Sequence, residues 1–488
     1  MWKRIGLLAF AAVVLLVAVV LYRTATYEPP AAVDFSKVKL APAVAVDTAT
    51  AAEHLAQAVR IQTISHQDIA DNDPTQWDAL HAWLVATYPH AHAVMTREIV
   101  GPGALVYTWP GSDPSLAPIV LMAHQDVVPV SLGTEGQWKH PPFDGVIADG
   151  AVWGRGSVDD KGSLVSIFEA ADQLAASGFK PRRTVIIVSG QDEETVGSGA
   201  KAAAAYLAAS GVKADWVLDE GMATITDFPM ASGPIALIGI AEKGYATLQV
   251  TAPAKGGHSS APPPETGVET LAKAVLAIAH HPFPLKFDGP GADMVRAVAP
   301  HANWPVRMAV ANTWLFSPLL KSQIAATPAG AATLHTTIAP TMLKGSPKEN
   351  VLPQDATAWI NYRIAPGDTV DEVMARARDA TRGLNVRLAW ATKADNPSPV
   401  SSTSSEGWKT IAALASEGGK VPVAPALVTA ATDSHSLIPV SSNIYRYQAL
   451  AASIGDMEMI HGTNEHMTLD NLTRMVGFYE RLIATAAS

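Results

Sequence analysis

"DDKGSLVSIFEAADQLAASGFKPRRTVIIVSG", residues 159–190, joins two different periodicities. Leu164, Ile167, Phe168, Ala171 and Ala175 recur at helical spacing and form one apolar face, and Gly178 is a stop signal. "RRTVIIVSG", 182–190, then runs apolar without alternation, which suits a strand covered on both faces. A helix feeding such a strand is the repeating unit of a doubly wound, mostly parallel α/β sheet.

The alternation continues on both sides. "TAAEHLAQAVRIQTIS" and "PTQWDALHAWLVATYP" have helical spacing, and "GALVYTWPG", "APIVLMAHQDV" and "ADWVLDEG" are strand-like. From about residue 241 the texture changes: a strand, a Gly/Pro-rich turn, a helix, then a Pro- and Trp-rich stretch over 282–340 with no clear pattern, then another strand and helix. This predicts an α+β domain over 241–395, inserted between two parts of the α/β domain at 46–240 and 396–488.

Cysteine is absent, so any metal must be held by His, Asp and Glu. The net charge is −10 and no long basic run occurs, which argues against nucleic acid as a partner. At the N-terminus, Lys3 and Arg4 precede an apolar stretch from Ile5 to Tyr22. At the rise of an α-helix it reaches about 27 Å, enough for a bilayer core. Trp2 and Tyr22 sit where interfacial aromatics belong, and the basic residues favour a cytoplasmic N-terminus. The expectation is a single-pass transmembrane helix over 1–23, a linker over 24–45, and the rest of the chain outside the cytoplasm. The alternative is a cleaved signal and a secreted protein, although no convincing A-x-A site follows.

The polar residues that interrupt the pattern fall at strand ends, where sites form in such sheets. They are His124 and Asp126; Asp159 and Asp160; Asp192, Glu193 and Glu194; Asp219; and His461 in "MIHGTNEH". Each has a plain structural reading. A lone histidine on an apolar strand is more often a core residue, Asp-Asp before a helix is often an N-cap, and Asp-Glu-Glu is usually a solvated patch. Together, two histidines and a surplus of carboxylates suit two divalent cations of the zinc type. Such a pair acidifies water and polarises a scissile carbonyl, while a carboxylate outside the metal shell carries the proton to the leaving amine.

"AHQDVV", "GRGSVDDKG", "QDEETVGS", "LDEG", "GGHSSAP", "ENVLP" and "IHGTNE" occur in an order that resembles the co-catalytic dizinc peptidases: carboxypeptidase S, aminoacylase, succinyl-diaminopimelate desuccinylase and carnosinase. The resemblance covers about residues 50–488 and is greatest for the branch of carboxypeptidase S and the N-fatty-acyl amino acid hydrolases. It implies two Zn2+, with Co2+ or Mn2+ able to substitute. His124 and Asp219 would hold one ion, Glu194 and His461 the other, and Asp159 would bridge them. Glu193 would be the general base and Asp126 would orient His124. A cis peptide is implied between Asp159 and Asp160. His258 would reach the scissile carbonyl from a neighbouring subunit or after lid closure; its plain reading is a turn residue. Asn350 and Arg363 would bind the substrate's carboxylate end. His435 stands where relatives usually carry an arginine, which weakens any strict requirement for a free carboxylate. The inserted domain would be a lid and the contact of a homodimer.

The reading is therefore a membrane-anchored dizinc carboxypeptidase that cleaves short peptides. An N-fatty-acyl amino acid hydrolase, running in reverse as a synthase, is the alternative. Trp304, Trp314, Leu315 and Phe316 would line an acyl pocket or form lid core. A catalytically inert binding relative is a third reading, but such proteins lose ligands, and every ligand position is present here.

Overall fold

The 159–190 stretch folds into the helix Lys161–Ala176 and the strand Val185–Ser189. The computed structural model describes residues 1–30 and 34–488 of the chain. The helix is buried more widely than one apolar stripe, because the helices Leu469–Ala486, Thr48–Arg60 and Pro89–Val94 all pack on it. Asp160 makes no side-chain cap to it. Its carboxylate instead accepts the His124 N–H (3.3 Å) and a Gln448 Nε2–H (2.9 Å). The capping reading of Asp160 is thus corrected: the carboxylate looks into the sheet ends.

The strand Val185–Ser189 lies in a ten-stranded mixed sheet. It runs parallel to Ile119–Met122, which runs parallel to Trp216–Asp219, which runs parallel to Ile444–Arg446. These central strands are buried on both faces, as a continuous Val/Ile run requires. The antiparallel strands Thr96–Val100 and Ala104–Trp109 close one edge. Toward the other edge lies Ile235–Glu242, joined in parallel by Val423–Val428.

A separate four-stranded antiparallel sheet is ordered Thr337–Lys344, Asp355–Ile364, Gly244–Pro253, Arg387–Trp390. Burial alternates along Gly244–Pro253, and its inward residues Leu248 and Val250 pack with Leu271, Ile278, Ile360 and Val373 in a second core. The helices Gly267–Ala279 and Val370–Ala380 supply the cover, and each starts with a capping box, Thr266/Glu269 and Thr369/Glu372.

The patternless 282–340 stretch contains four α-helices, Gly289–Val298, Trp304–Ala311, Thr313–Ile324 and Pro328–Leu334, and the 3-10 turn Ala299–His301. Gly289–Val298 packs on Val423–Val428, and its Ala297 and Val298 belong to the main core. This helix of the expected insertion therefore adheres to the large sheet. The N-terminal apolar segment is the helix Trp2–Ala25, long and apolar enough to cross a membrane. The expected linker is stitched down at both ends. Tyr27 donates to the Arg296 carbonyl (3.0 Å), and the Ala41 N–H donates to Thr485 Oγ1 (2.9 Å). Its residues 31–33 lie outside the described residues.

Candidate active site

Parallel pairing aligns the ends of Ile119–Met122, Val185–Ser189 and Trp216–Asp219, and the loops leaving them carry the candidate residues. His124 is 2% exposed. Its Nδ1 lies 3.0 Å from the Asp126 carbonyl and 3.3 Å from Asp126 Oδ1, and its Nε2 lies 2.9 Å from Asp159 Oδ1. The fully buried Asp126 carboxylate also accepts the backbone N–H groups of Glu193 and Glu194, both at 3.1 Å. One side chain therefore holds the ring of one candidate ligand and the backbone of two candidate acids.

The second histidine completes the other side of Asp159. His461 Nε2 lies 3.1 Å from Asp159 Oδ2 and 3.0 Å from Glu194 Oε2. It sits in a loop with positive φ (58°), a conformation few non-glycine residues adopt. The Asp159–Asp160 peptide is cis. The Asp159 backbone N–H donates to Glu465 Oε1 (3.1 Å), and Glu465 is fixed by a buried ion pair to Arg155 (2.6 Å).

Two donor groups result, each with its ligand atoms within 4.8 Å of one another: His124, Asp159 and Glu220; and Asp159, Glu194 and His461. The first contains Glu220 where the sequence reading has Asp219. The two are consecutive, and Asp219 Oδ2 accepts the Ser434 N–H (2.8 Å) beside this group. Asp192 stands apart from the ligand groups: its carboxylate accepts from Ser198 (2.9 Å) and Gly199 (2.9 Å), tying down the start of the helix Ser198–Ala209.

Charge at these strand ends is lopsided. Burial, reinforced by neighbouring carboxylates, raises the pKa of Glu193, Glu220 and Asp433 well above the usual carboxylate range. Burial also raises Glu194 and Asp219. His461 is pushed up to about 10 by its bonds to Asp159 and Glu194. Mixed nitrogen and oxygen donors around an excess of buried carboxylate are the chemistry that zinc-type cations neutralise, so the residues fit a metal pair sharing Asp159.

The other predicted residues lie elsewhere. His258 pairs with Val351 across the short ribbon Gly257–His258/Val351–Leu352, and its Nδ1 lies 2.7 Å from Ser260 Oγ. The Asn350 carbonyl accepts the Ser259 N–H (3.2 Å), so His258 and Asn350 share one exposed loop pair. Arg363, on the small sheet, stacks over Tyr245 at 4.8 Å. Among the described residues, none of these three hydrogen-bonds to the carboxylate cluster. His435 is closer: its Nδ1 lies 2.7 Å from the buried Glu242 Oε1, two residues beyond Asp433. Sequence reasoning missed Glu220, Glu465, Gln448 and Asp433. Glu220 and Glu465 lie inside "LDEG" and "IHGTNE", so their motifs were in view but their roles were not. Among the described residues Asp433 Oδ2 has no hydrogen-bond partner, and it presses against Gly190, where a Cβ would fall 1.9 Å from it.

An α/β sheet that gathers histidines around a shared aspartate at its strand ends defines a metal-dependent hydrolase. The chain belongs to peptidase family M20/M25/M40, whose description matches residues 120–485. It is 34% identical to an N-fatty-acyl-amino acid synthase/hydrolase of Xenopus tropicalis over 99% of this chain and 96% of that protein. It is 30% identical to carboxypeptidase S of Saccharomyces cerevisiae over 88% of this chain and 83% of that one. An M20 family metallo-carboxypeptidase from Sulfolobus solfataricus shares the fold, with a TM-score of 0.65 at 16% identity, covering 89% of this chain and 98% of that one.

Proposed function

We propose that the chain is a membrane-anchored, dizinc amide hydrolase that releases a C-terminal amino acid from short peptides. The observation that carries this is the Asp159 carboxylate shared by the two donor groups. His124 and the adjacent acids Asp219 and Glu220 would hold one ion, Glu194 and His461 would hold the other, and Asp159 is common to both groups. When bound, the zinc pair polarises the scissile carbonyl and acidifies water. Glu193 is the base. Its backbone is fixed by Asp126, and burial raises its pKa, so its ionised form is a stronger base toward the proton of the attacking water, which it then delivers to the leaving nitrogen. A C–O bond forms, the C–N bond breaks, and the proton ends on the amine.

The small sheet is the lid. Closure brings His258 to the substrate carbonyl and Asn350 and Arg363 to its carboxylate, with His435 as a further contact. The strand Thr337–Lys344 is an exposed sheet edge, which supports pairing of two copies there. The N-terminal helix keeps the enzyme on the membrane, with the catalytic part outside the cytoplasm.

A second reading is an N-fatty-acyl amino acid hydrolase or synthase using the same residues. It is favoured by the Xenopus relative, which aligns with 99% of the chain, including the N-terminal region. A panel of dipeptides and N-acyl amino acids, assayed with zinc, separates the two. Cleavage of dipeptides above all acyl chains supports the first reading, preference for long acyl chains supports the second, and no cleavage of either class overturns both.

A further inference from the structure

Trp304, Trp314 and Leu315 lie at the surface rather than in a core. They are 49%, 56% and 41% exposed, and only Phe316 of that group packs against a core cluster. On the helix Thr313–Ile324 the exposed residues include Trp314, Leu315, Pro318 and Leu319. Two i,i+4 pairs, Trp314/Pro318 and Leu315/Leu319, lie side by side along one flank of the helix, so the chain displays an exposed apolar stripe. Trp304 opens the preceding helix, Trp304–Ala311.

The location of this stripe says what covers it. The helix Trp304–Ala311 packs directly on the N-terminal apolar helix Trp2–Ala25. Asn312, fully buried at the junction of the two insertion helices, donates from Nδ2 to the Val20 carbonyl (3.2 Å) and lies 3.2 Å from Thr24 Oγ1. Arg23 Nε donates to the Ala311 carbonyl (3.2 Å). Val20 lies inside the apolar run, two residues before the interfacial Tyr22. The insertion therefore grips the apolar helix at the level where it leaves the hydrocarbon, and the stripe begins two residues after Asn312. Exposed Trp and Leu on the helices next to this grip, with Arg23 and with Arg307, which donates to the Ala25 carbonyl (3.4 Å), match the composition of a bilayer interface.

We infer that the insertion helices are a membrane-seating platform: Trp304 and the Trp314–Leu319 stripe dip into the outer interface beside the anchor and hold the catalytic body against the bilayer. This rests on the anchored reading above. It adds a second, independent membrane contact that anchoring alone does not require, since a single helix and a flexible tether would suffice.

The chain has no cysteine, so single-cysteine labelling reports one site at a time. Leu315→Cys, Leu319→Cys and Leu15→Cys are each labelled with an environment-sensitive fluorophore in the full chain. Each is reconstituted in phosphatidylcholine vesicles with plain or dibrominated acyl chains. The expected result is at least a two-fold loss of emission in brominated vesicles at all three sites. Quenching at 15 without quenching at 315 and 319 overturns the platform and leaves the anchor intact. If 315 and 319 are then also shielded from aqueous iodide, a second copy of the chain covers the stripe, and the inference still fails. No quenching at 15 removes the anchor, and the platform with it.

Discussion

The two halves of the candidate centre are built differently. His124 sits at the end of a strand buried on both faces, its ring backed by Asp126 and its own backbone N–H held by Asp160. His461 sits in a loop with its side chain 53% exposed, and its ring reaches only the two carboxylates it would share a metal with. Asp159 joins the halves, fixed from behind by Glu465. The difference teaches that one ligand position comes with the folded sheet, while the other is held in place largely by what it binds.

The largest contrast is expected in the stability of the metal-free chain. His124→Ala strips partners from the buried Asp126 and from Asp159 and should cost about 3–5 kcal/mol, the usual price of breaking a buried charged pair. His461→Ala, at an exposed site, should cost no more than about 1 kcal/mol. Denaturant titration of both apoproteins checks this, and equal losses would erase the contrast. Graded chelation comes next. The ion on the His461 side should leave first, with affinities at least about ten-fold apart, so metal content should pause at one per chain. Loss of both ions in one step would break the comparison.

Asp126→Asn sharpens it from the other side. The amide keeps the shape but loses one acceptor among the ring and the two glutamate N–H groups, so kcat should fall about 10–100-fold with the fold retained. An unchanged rate would make Asp126 a mere packing residue. The smallest effect concerns pH. In the apoprotein, the bonds of His461 to Asp159 and Glu194 raise its pKa from an ordinary 6.5 to about 10. A raised histidine stabilises the fold fully below its unfolded value and loses that contribution as pH rises through the folded one. The difference in Tm between apo wild type and His461→Gln should therefore be greatest below pH 6.5 and vanish above pH 10. A gap that widens with pH would reverse the assignment.

The alternation of helix and covered strand around 159–190 was legible because its periodicities come from the backbone itself. The gathering of His124, Glu194 and Asp219 was legible because they follow neighbouring strands of one sheet, whereas Asp159 and His461 come from loops beside the separate three-stranded sheet His466–Thr468, Ala151–Trp153, Val146–Ala148, and only the motif resemblance pointed to them. Glu220 was not legible, because "LDEG" offers two adjacent acids and only the fold shows that the second also lies within reach of His124 and Asp159. The 282–340 helices were hidden by proline. Pro290, Pro305 and Pro328 each fall in the first turn of a helix, where a missing N–H costs nothing, yet in sequence they look like breakers. Pro318 lies inside the helix Thr313–Ile324, on the exposed stripe. The exposure of Trp304 and Trp314 was equally hidden, since an aromatic-rich stretch looks the same whether it faces a core or a bilayer.

The most direct test of the centre sets metal content beside kcat for Glu193→Gln and Glu194→Gln. Glu194 lies with Asp159 and His461 in one donor group and Glu193 lies outside it, so the two acids are assigned different tasks. Glu193→Gln should keep two ions per chain and lower kcat by about 10²–10⁴-fold, the size of a general-base effect. Glu194→Gln should lose the ion next to His461 and regain part of its activity in excess zinc. Loss of metal from Glu193→Gln with both ions kept in Glu194→Gln would swap the two roles, and full activity in both variants would contradict the metal-centre account of this chain.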